Sequence, residues 1–335
     1  MKTRCIFDSK LKLKELKKLM KKKNVETDLA IATLFLGLTT RQRHLIEKEY
    51  DQTEKKKLRE QFQNKKRKHS RPGFNKTMQL ILASDSERDA LAINMALLKR
   101  KPTDIVEVLA TRPSKHIRHV REVYEKIYNK KVGETMLNVF KDNSALNKFL
   151  GSLLINERDS NNVVNTEHVD KDKLRMIQSL NEHSWGSDVM VADTVQMLST
   201  KSFGYLWYLV KQGFKAEEFA NWKHGINNLV SSLENKAVIQ PYTDSVFVFL
   251  EFLHDLPATA FANTLNRALK PAEGEAQDEN KVLYVLLSRQ EYDLKDIKLC
   301  YRQMTPVNLE NDLITLKTNS FDCPLVLKAM IADYS

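Results

Sequence analysis

The sequence predicts an all-α chain built from four similar repeats, and three observations carry that expectation. The same grammar recurs three times: an aliphatic pair, a Ser or Thr followed by a long basic residue, then apolar positions five and eight residues after that base. It reads Thr111-Arg112 with Ile117, Val120 and Tyr124, then Thr200-Lys201 with Leu206 and Leu209, then Ser288-Arg289 with Leu294, Ile297 and Tyr301. The bases stand 89 and 88 positions apart, a spacing that marks a structural array. Only 9 Gly and 8 Pro punctuate 335 residues, and the apolar positions recur at helical rather than alternating spacing, so strands have little support.

Within each repeat a helix ends near the aliphatic pair, the Ser or Thr caps or turns the chain, and the +5/+8/+12 positions form one stripe of the next helix. A fainter copy lies upstream, where Ile46 and Tyr50 stand at +8 and +12 from Leu38 and Gly37-Leu38 replaces the Ser-Arg pair. The plan is five helices per repeat. The first repeat, residues 1–84, has helices near 9–22, 26–37, 40–51, 54–63 and 74–83. Its opening segment sets eight lysines, from Lys10 to Lys23, around Leu11, Leu13, Leu16, Leu19 and Met20, the pattern of a solvated basic face over an apolar stripe. The second, residues 85–159, reads as helices near 87–99, 103–110, 114–128, 132–140 and 145–156. A connector at 160–172, rich in Asn, Asp and Ser just after Arg158, reads as the hinge. The third repeat, 173–257, has helices near 171–181, 188–198, 201–212, 216–224 and 244–254, with extra length between Trp222 and Pro241. The fourth, 258–335, has them near 259–270, 278–287, 291–304, 308–316 and 324–332.

Composition narrows the function. Cys5, Cys300 and Cys323 stand far apart in no metal-like spacing, which favours a reducing, cytoplasmic compartment. No apolar run approaches the ~18 residues a bilayer span needs, and Ile6-Phe7 gives way at once to Asp8 and Lys10 rather than to a secretory apolar region, so membrane association is expected to be peripheral. A net charge of +11 implies an acidic partner: anionic lipid, sulfated glycan, nucleic acid or an acidic protein tail. Lys65-Lys66-Arg67-Lys68 reads as a basic loop, and without interleaved aromatics it offers no stacking platform for single strands. His116 and His119 share a helix face with Arg118 and Arg121 and read as surface histidines rather than metal ligands. No phosphate loop, nucleophile elbow or metalloprotease helix is present in the sequence, so the chain is expected not to be an enzyme.

The segments Leu109-Ala110-Thr111-Arg112 through Tyr124 and Tyr128, Phe140-Lys141-Asp142, Asn156-Glu157-Arg158-Asp159 and Ser288-Arg289-Gln290-Glu291-Tyr292-Asp293-Leu294 resemble the annexin family. The resemblance implies a right-handed superhelical, slightly curved disc, with loops on its convex face meeting a membrane. It also implies that Arg112, Arg158 and Arg289 tie helices together by ion pairs. Family calcium sites pair a glycine-bearing loop between a repeat's first two helices, offering carbonyls, with an Asp or Glu some 40 residues on. Carried onto this chain, the third repeat fits best: carbonyls of Glu182, Ser184 and Gly186, the carboxylate of Glu234, and Trp185 at headgroup level. Secondary candidates are Leu269 and Gly274 in the fourth repeat, where Thr318 takes the place of the distant acid, and Asp142 in the second, whose loop Lys99-Arg100-Lys101-Pro102-Thr103 is basic and lacks glycine. In the first repeat Lys23-Asn24-Val25-Glu26 replaces the glycines and Ser70 the acid. Such erosion is similar to divergent protist annexins, including the alpha-giardins, which are associated with plasma membrane and cytoskeleton. The expected function is calcium-dependent, partly charge-driven peripheral binding to anionic phospholipid, with Ca2+ as cofactor, Lys65, Lys66, Arg67, Lys68 and Trp185 as lipid contacts, and a link to a cytoskeletal protein. The rival reading is a calcium-independent helical scaffold for an acidic polymer or protein.

Overall fold

The computed structural model describes residues 7–22, 25–63, 74–155, 158, 164, 166–181, 187–213, 215–255 and 257–316. Among the described residues run nineteen α-helices and no strand. The first repeat holds α1 (Ser9–Lys21), α2 (Val25–Leu36), α3 (Thr40–Glu54), α4 (Leu58–Gln63) and α5 (Phe74–Leu82). The second holds α6 (Asp85–Leu98), α7 (Pro102–Ala110), α8 (Ser114–Tyr128), α9 (Val132–Val139) and α10 (Ser144–Ile155). The third holds α11 (Thr166–Asn181), α12 (Asp188–Thr200), α13 (Phe203–Gly213), α14 (Ala216–Ser232) and α15 (Lys236–His254). The fourth holds α16 (Pro257–Leu269), α17 (Glu279–Arg289), α18 (Leu294–Met304) and α19 (Leu309–Ile314). The helix expected near 324–332 lies outside the described residues.

The periodic stripe is the core-facing stripe. Ile117, Val120 and Tyr124 of α8, Leu206 and Leu209 of α13, and Leu294, Ile297 and Tyr301 of α18 are all buried. The second helix of a repeat is apolar around most of its circumference: in α7 every residue from Ile105 to Ala110 is buried, which places it against both α10 and α15 rather than at the surface. Local chemistry sets the ends. Thr39 and Gln42 form a reciprocal capping box at the start of α3, Asp278 accepts from the Lys281 amide at α17, and Asn308 accepts from the Asn311 amide at α19.

Several boundaries depart from the sequence expectation, among them the end of α3, at Glu54 rather than 51, and the start of α4, at Leu58 rather than 54. The extra length between Trp222 and Pro241 is absorbed by two longer helices: α14 runs on to Ser232, and α15 begins at Lys236 and continues through Pro241. Proline costs α15 one backbone hydrogen bond. The helix persists because Tyr242, Val246, Phe249, Leu250 and Leu253 bury one continuous stripe. Helix α11 starts five residues earlier than expected, at Thr166, and α18 starts later, at Leu294, because Arg289 to Asp293 is held as a turn by the Tyr292 and Asp293 amides on the Arg289 carbonyl.

The chain divides into two compact units, one comprising Met1–Arg88 with Phe261–Ser335, the other Asp89–Ala260. In the first unit, Arg43 occupies the +5 slot where the other repeats place an aliphatic residue, and it is fully buried. Its Nε donates to the Phe35 carbonyl at 2.8 Å, Nη1 to the Ile81 carbonyl at 3.2 Å and Nη2 to Gln290 Oε1 at 2.5 Å. Gln290 in turn donates to the Leu36 carbonyl at 2.6 Å. Nearby, Thr40 donates to Glu291, and Tyr292 donates to Asp85, which pairs with Arg88. These polar bonds join the fourth repeat to the first and to the opening turn of α6.

In the second unit the buried Asp89 carboxylate anchors α6 to α8. Arg112 grips it with Nε at 2.7 Å and Nη2 at 3.1 Å, and His116 Nε2 lies 2.7 Å from Oδ2. His116 is therefore a half-buried structural partner rather than the surface histidine expected, whereas His119 is exposed beside Glu122. Burial alone would raise the Asp89 carboxyl, but the His116 hydrogen bond and the Arg112 charge outweigh it and hold it below the usual carboxylate range. Arg289 forms the expected pair, both carboxylate oxygens of Asp293 lying 2.7 Å away. Arg158 departs from expectation: among the described residues it meets no carboxylate, lying instead 4.3 Å from the Phe203 ring centroid and 5.1 Å from that of Phe249, and donating to the Lys201 carbonyl. Burial lowers this guanidinium to about 10, still charged at neutral pH.

Because the folded Asp89 sits below its unfolded value, its contribution is complete above the unfolded value and is lost as pH falls through the folded one. Asp89→Ala, which strands the Arg112 charge, is expected to destabilise the second unit by about 3–5 kcal/mol in denaturant unfolding at neutral pH. The gap between Asp89→Ala and the parent should narrow on acidification; a constant gap would contradict the ion-pair account.

Candidate metal and lipid loops

The turn between a repeat's first two helices is set by how the first helix stops. In the second repeat α6 ends in a closed motif: the Lys101 amide bonds back to the Ala96 carbonyl at 2.9 Å and the Arg100 amide to the Leu97 carbonyl at 3.1 Å, with Arg100 left-handed at φ 52°. Lys99 also bonds back, to the Met95 carbonyl. The loop's amides are thus bonded back to α6, the Lys101 carbonyl accepts from the Asp104 amide of α7, and Lys99, Arg100 and Lys101 are all exposed. A dication fits neither the geometry nor the charge, so Asp142, exposed in the turn before α10, lacks a loop with which to share an ion.

The fourth-repeat turn is longer. The Glu275 amide bonds to the Ala272 carbonyl, and Gly274 takes φ +90°, as the third residue of a type II turn requires. The Leu269 carbonyl accepts from Gln277 Nε2 at 2.7 Å, and the Asp278 amide bonds back to Ala268. Lys270 places its ammonium 2.6 Å from the buried Asp312 carboxylate, which also accepts from Tyr301 at 2.7 Å. A resident cation, Lys270, therefore already pairs with the buried Asp312, and the Leu269 carbonyl is partly spent. Thr318 lies outside the described residues.

In the third repeat, Glu182, Ser184, Trp185 and Gly186 lie outside the described residues, as do Lys65, Lys66, Arg67, Lys68 and Ser70 in the first, and the first repeat's own turn at 23–24. Glu234 is described. It stands exposed in the three-residue turn between α14 and α15, and among the described residues no side chain pairs with it. One link was not legible in sequence: Asn143, which caps α10 by accepting from the Leu146 amide, donates from Nδ2 to the Val238 carbonyl in the first turn of α15. The turns carrying Asp142 and Glu234 are thereby docked at one end of the second unit. Among the described residues no three His, Cys, Asp or Glu side chains converge on a metal position, and no helix is long and apolar enough to cross a membrane.

The groove between α8, α9 and α10, about 810 Å³, is lined by the buried Met136, the exposed Leu137 and mixed charges such as Arg121, Glu125 and Lys148. On α1 the expected basic face gathers Lys10, Lys14, Lys17, Lys18 and Lys21, but Leu11, expected in the core-facing stripe, is exposed among them, and Leu13 and Leu16 carry the buried stripe.

No family model matches the chain. Annexin A1 isoform p37 of Columba livia is 26% identical over 307 residues, which cover 90% of this chain and 82% of that protein. The structure of annexin A8 superposes with a TM-score of 0.76 at 19% identity, covering 98% of this chain and 96% of that one. The calcium-bound structure of alpha-14 giardin superposes with a TM-score of 0.72 at 14% identity, covering 97% and 99%.

Gly274→Ala, which forces a Cβ into positive φ with open space around it, is expected to cost about 1 kcal/mol, read as a lowered urea midpoint. An unchanged midpoint would show that the turn relaxes.

Proposed function

We propose that this chain, which belongs to the annexin family as a member divergent from the well-studied ones, docks peripherally on anionic phospholipid through one calcium bridge and through its own basic charge. Members of the family typically bind calcium and phospholipid. The calcium position is the third repeat: backbone carbonyls of Glu182, Ser184 and Gly186, completed by the Glu234 carboxylate, with Trp185 at the headgroup level. The observation that supports this choice is Glu234 itself, an exposed carboxylate in the fourth-to-fifth-helix turn, beside a second repeat whose loop is closed and cationic. Calcium there would supply positive charge and open coordination positions to lipid phosphate. The chain's own part is to present carbonyls and one carboxylate. The lysines of α1 and the net charge of +11 add attraction on the order of 1 kcal/mol per residue near an anionic surface. The role is non-enzymatic, and the membrane-bound chain links to a cytoskeletal protein.

Co-sedimentation with phosphatidylserine vesicles tests this reading. Pelleting should rise with calcium and fall in chelator to a salt-sensitive residue, and Glu234→Gln should raise the calcium needed by about tenfold, the loss of one strong ligand. Equal pelleting in calcium and chelator, unchanged in Glu234→Gln, would overturn the calcium bridge and favour a scaffold for acidic polymers.

A further inference from the structure

The α6–α7 turn carries a combination that helix termination does not explain. Leu98, the last residue of α6, is 72% exposed, the most exposed large apolar side chain among the described residues. Three exposed cations follow it directly, and the turn is fixed by two backbone bonds, so these four side chains leave one short rigid projection. Basic residues at a helix C-terminus are ordinarily accounted for by the macrodipole. That account does not extend to an apolar side chain in water on the same turn. Nor does it explain arginine at φ 52°, where glycine or asparagine would be easier: α8 ends in the same conformation with Asn129. Lys55 closes α3 in the left-handed region and opens a run of three lysines, yet the leucine that follows them, Leu58, is fully buried. Among the left-handed helix ends of the described residues, charge beside an exposed leucine occurs at the α6–α7 turn alone; on α1 the exposed Leu11 also lies among lysines, but along a helix face rather than on a backbone-fixed turn.

We infer that this turn is a calcium-independent contact for an anionic lipid bilayer: Leu98 enters the boundary between headgroups and acyl chains while Arg100 and Lys101 pair with lipid phosphates. A bilayer surface is the partner that offers both halves, an apolar layer a few ångströms beneath a sheet of negative charge. A nucleic acid or acidic peptide would use the cations and leave Leu98 in water. The inference rests on the reading that the chain docks on anionic membrane, and it assigns the binding that remains without calcium to a defined place. Here the chain's own cations do the work that a bound ion does where a loop presents carbonyls.

The test is vesicle affinity of the full chain in excess chelator at low salt, with phosphatidylserine-containing vesicles against pure phosphatidylcholine. Arg100→Gly relieves the left-handed strain, so it should be at least as thermally stable as the parent and yet bind about fivefold more weakly. Lys55→Gly removes the same charge with the same backbone relief away from an exposed leucine, and its affinity should stay within about twofold. Leu98→Ser, an exposed change with little to disturb in the fold, should weaken binding about fivefold or more. Equal losses in Arg100→Gly and Lys55→Gly, or full affinity in Leu98→Ser, would overturn the proposal in favour of diffuse charge. Binding by the parent with calcium and none in chelator would overturn it while leaving the third-repeat bridge standing. Binding to duplex DNA or heparin that exceeds vesicle binding and ignores Leu98→Ser would overturn it in favour of an acidic polymer.

Discussion

The interior of the first compact unit depends on one constraint: helices that end inside a protein leave carbonyls that must be bonded to something. Helices α2 and α5 both end on buried residues, Phe35 and Leu36 in one case, Leu80, Ile81 and Leu82 in the other. Arg43 bonds the ends of both, Arg88 and Arg59 donate to the Leu80 and Leu82 carbonyls, and Gln290 takes the Leu36 carbonyl. A guanidinium suits this task because its planar fork reaches several carbonyls at once and its charge favours the negative end of a helix dipole. Hydrogen bonds of charged donors contribute roughly 1.5–3 kcal/mol each, enough to hold an arginine where an aliphatic residue packs in the other repeats. In the second unit, Arg112 meets a carboxylate and Arg158 meets two aromatic faces and a carbonyl.

None of these interior ties involves the turns between first and second helices. The frame therefore tolerates changes of loop chemistry, and the second and fourth repeats have spent that freedom differently. One turn bonds its amides back onto its helix and presents cations; the other keeps a glycine turn but sets a lysine against its buried acid.

Periodic burial was legible in the sequence because each stripe position faces the same way in every copy, and the helices of the second repeat fall within two residues of expectation at either end. Arg43 was not legible. An arginine in a helical pattern reads as surface, and its acceptors come from residues 35, 81 and 290, which no local pattern connects. Pro241 hid the start of α15 for a related reason: proline argues locally against a helix, while the aromatic and aliphatic stripe that overrides it becomes decisive only when packed against α7 and α10. His116 looked superficial because its neighbours Arg118 and Arg121 are; only the fold brings Asp89 beneath it. Of the calcium set carried over by resemblance, the turn position of Glu234 is visible, and Glu182, Ser184, Trp185 and Gly186 fall outside the described residues.

The pairing of Arg43 with Gln290 sets an order of events during synthesis. The second compact unit is one continuous stretch of chain, so all its partners have been synthesised by residue 260. The first is discontinuous: its amino-terminal helices emerge early, with the guanidinium of Arg43 and the carbonyl of Leu36 lacking an amide that is some 250 residues away. Domains that are contiguous fold as they appear. The opening repeat must wait half-satisfied until the final quarter arrives, which makes nascent chains, rather than finished ones, the form most exposed to misassembly and to chaperone capture.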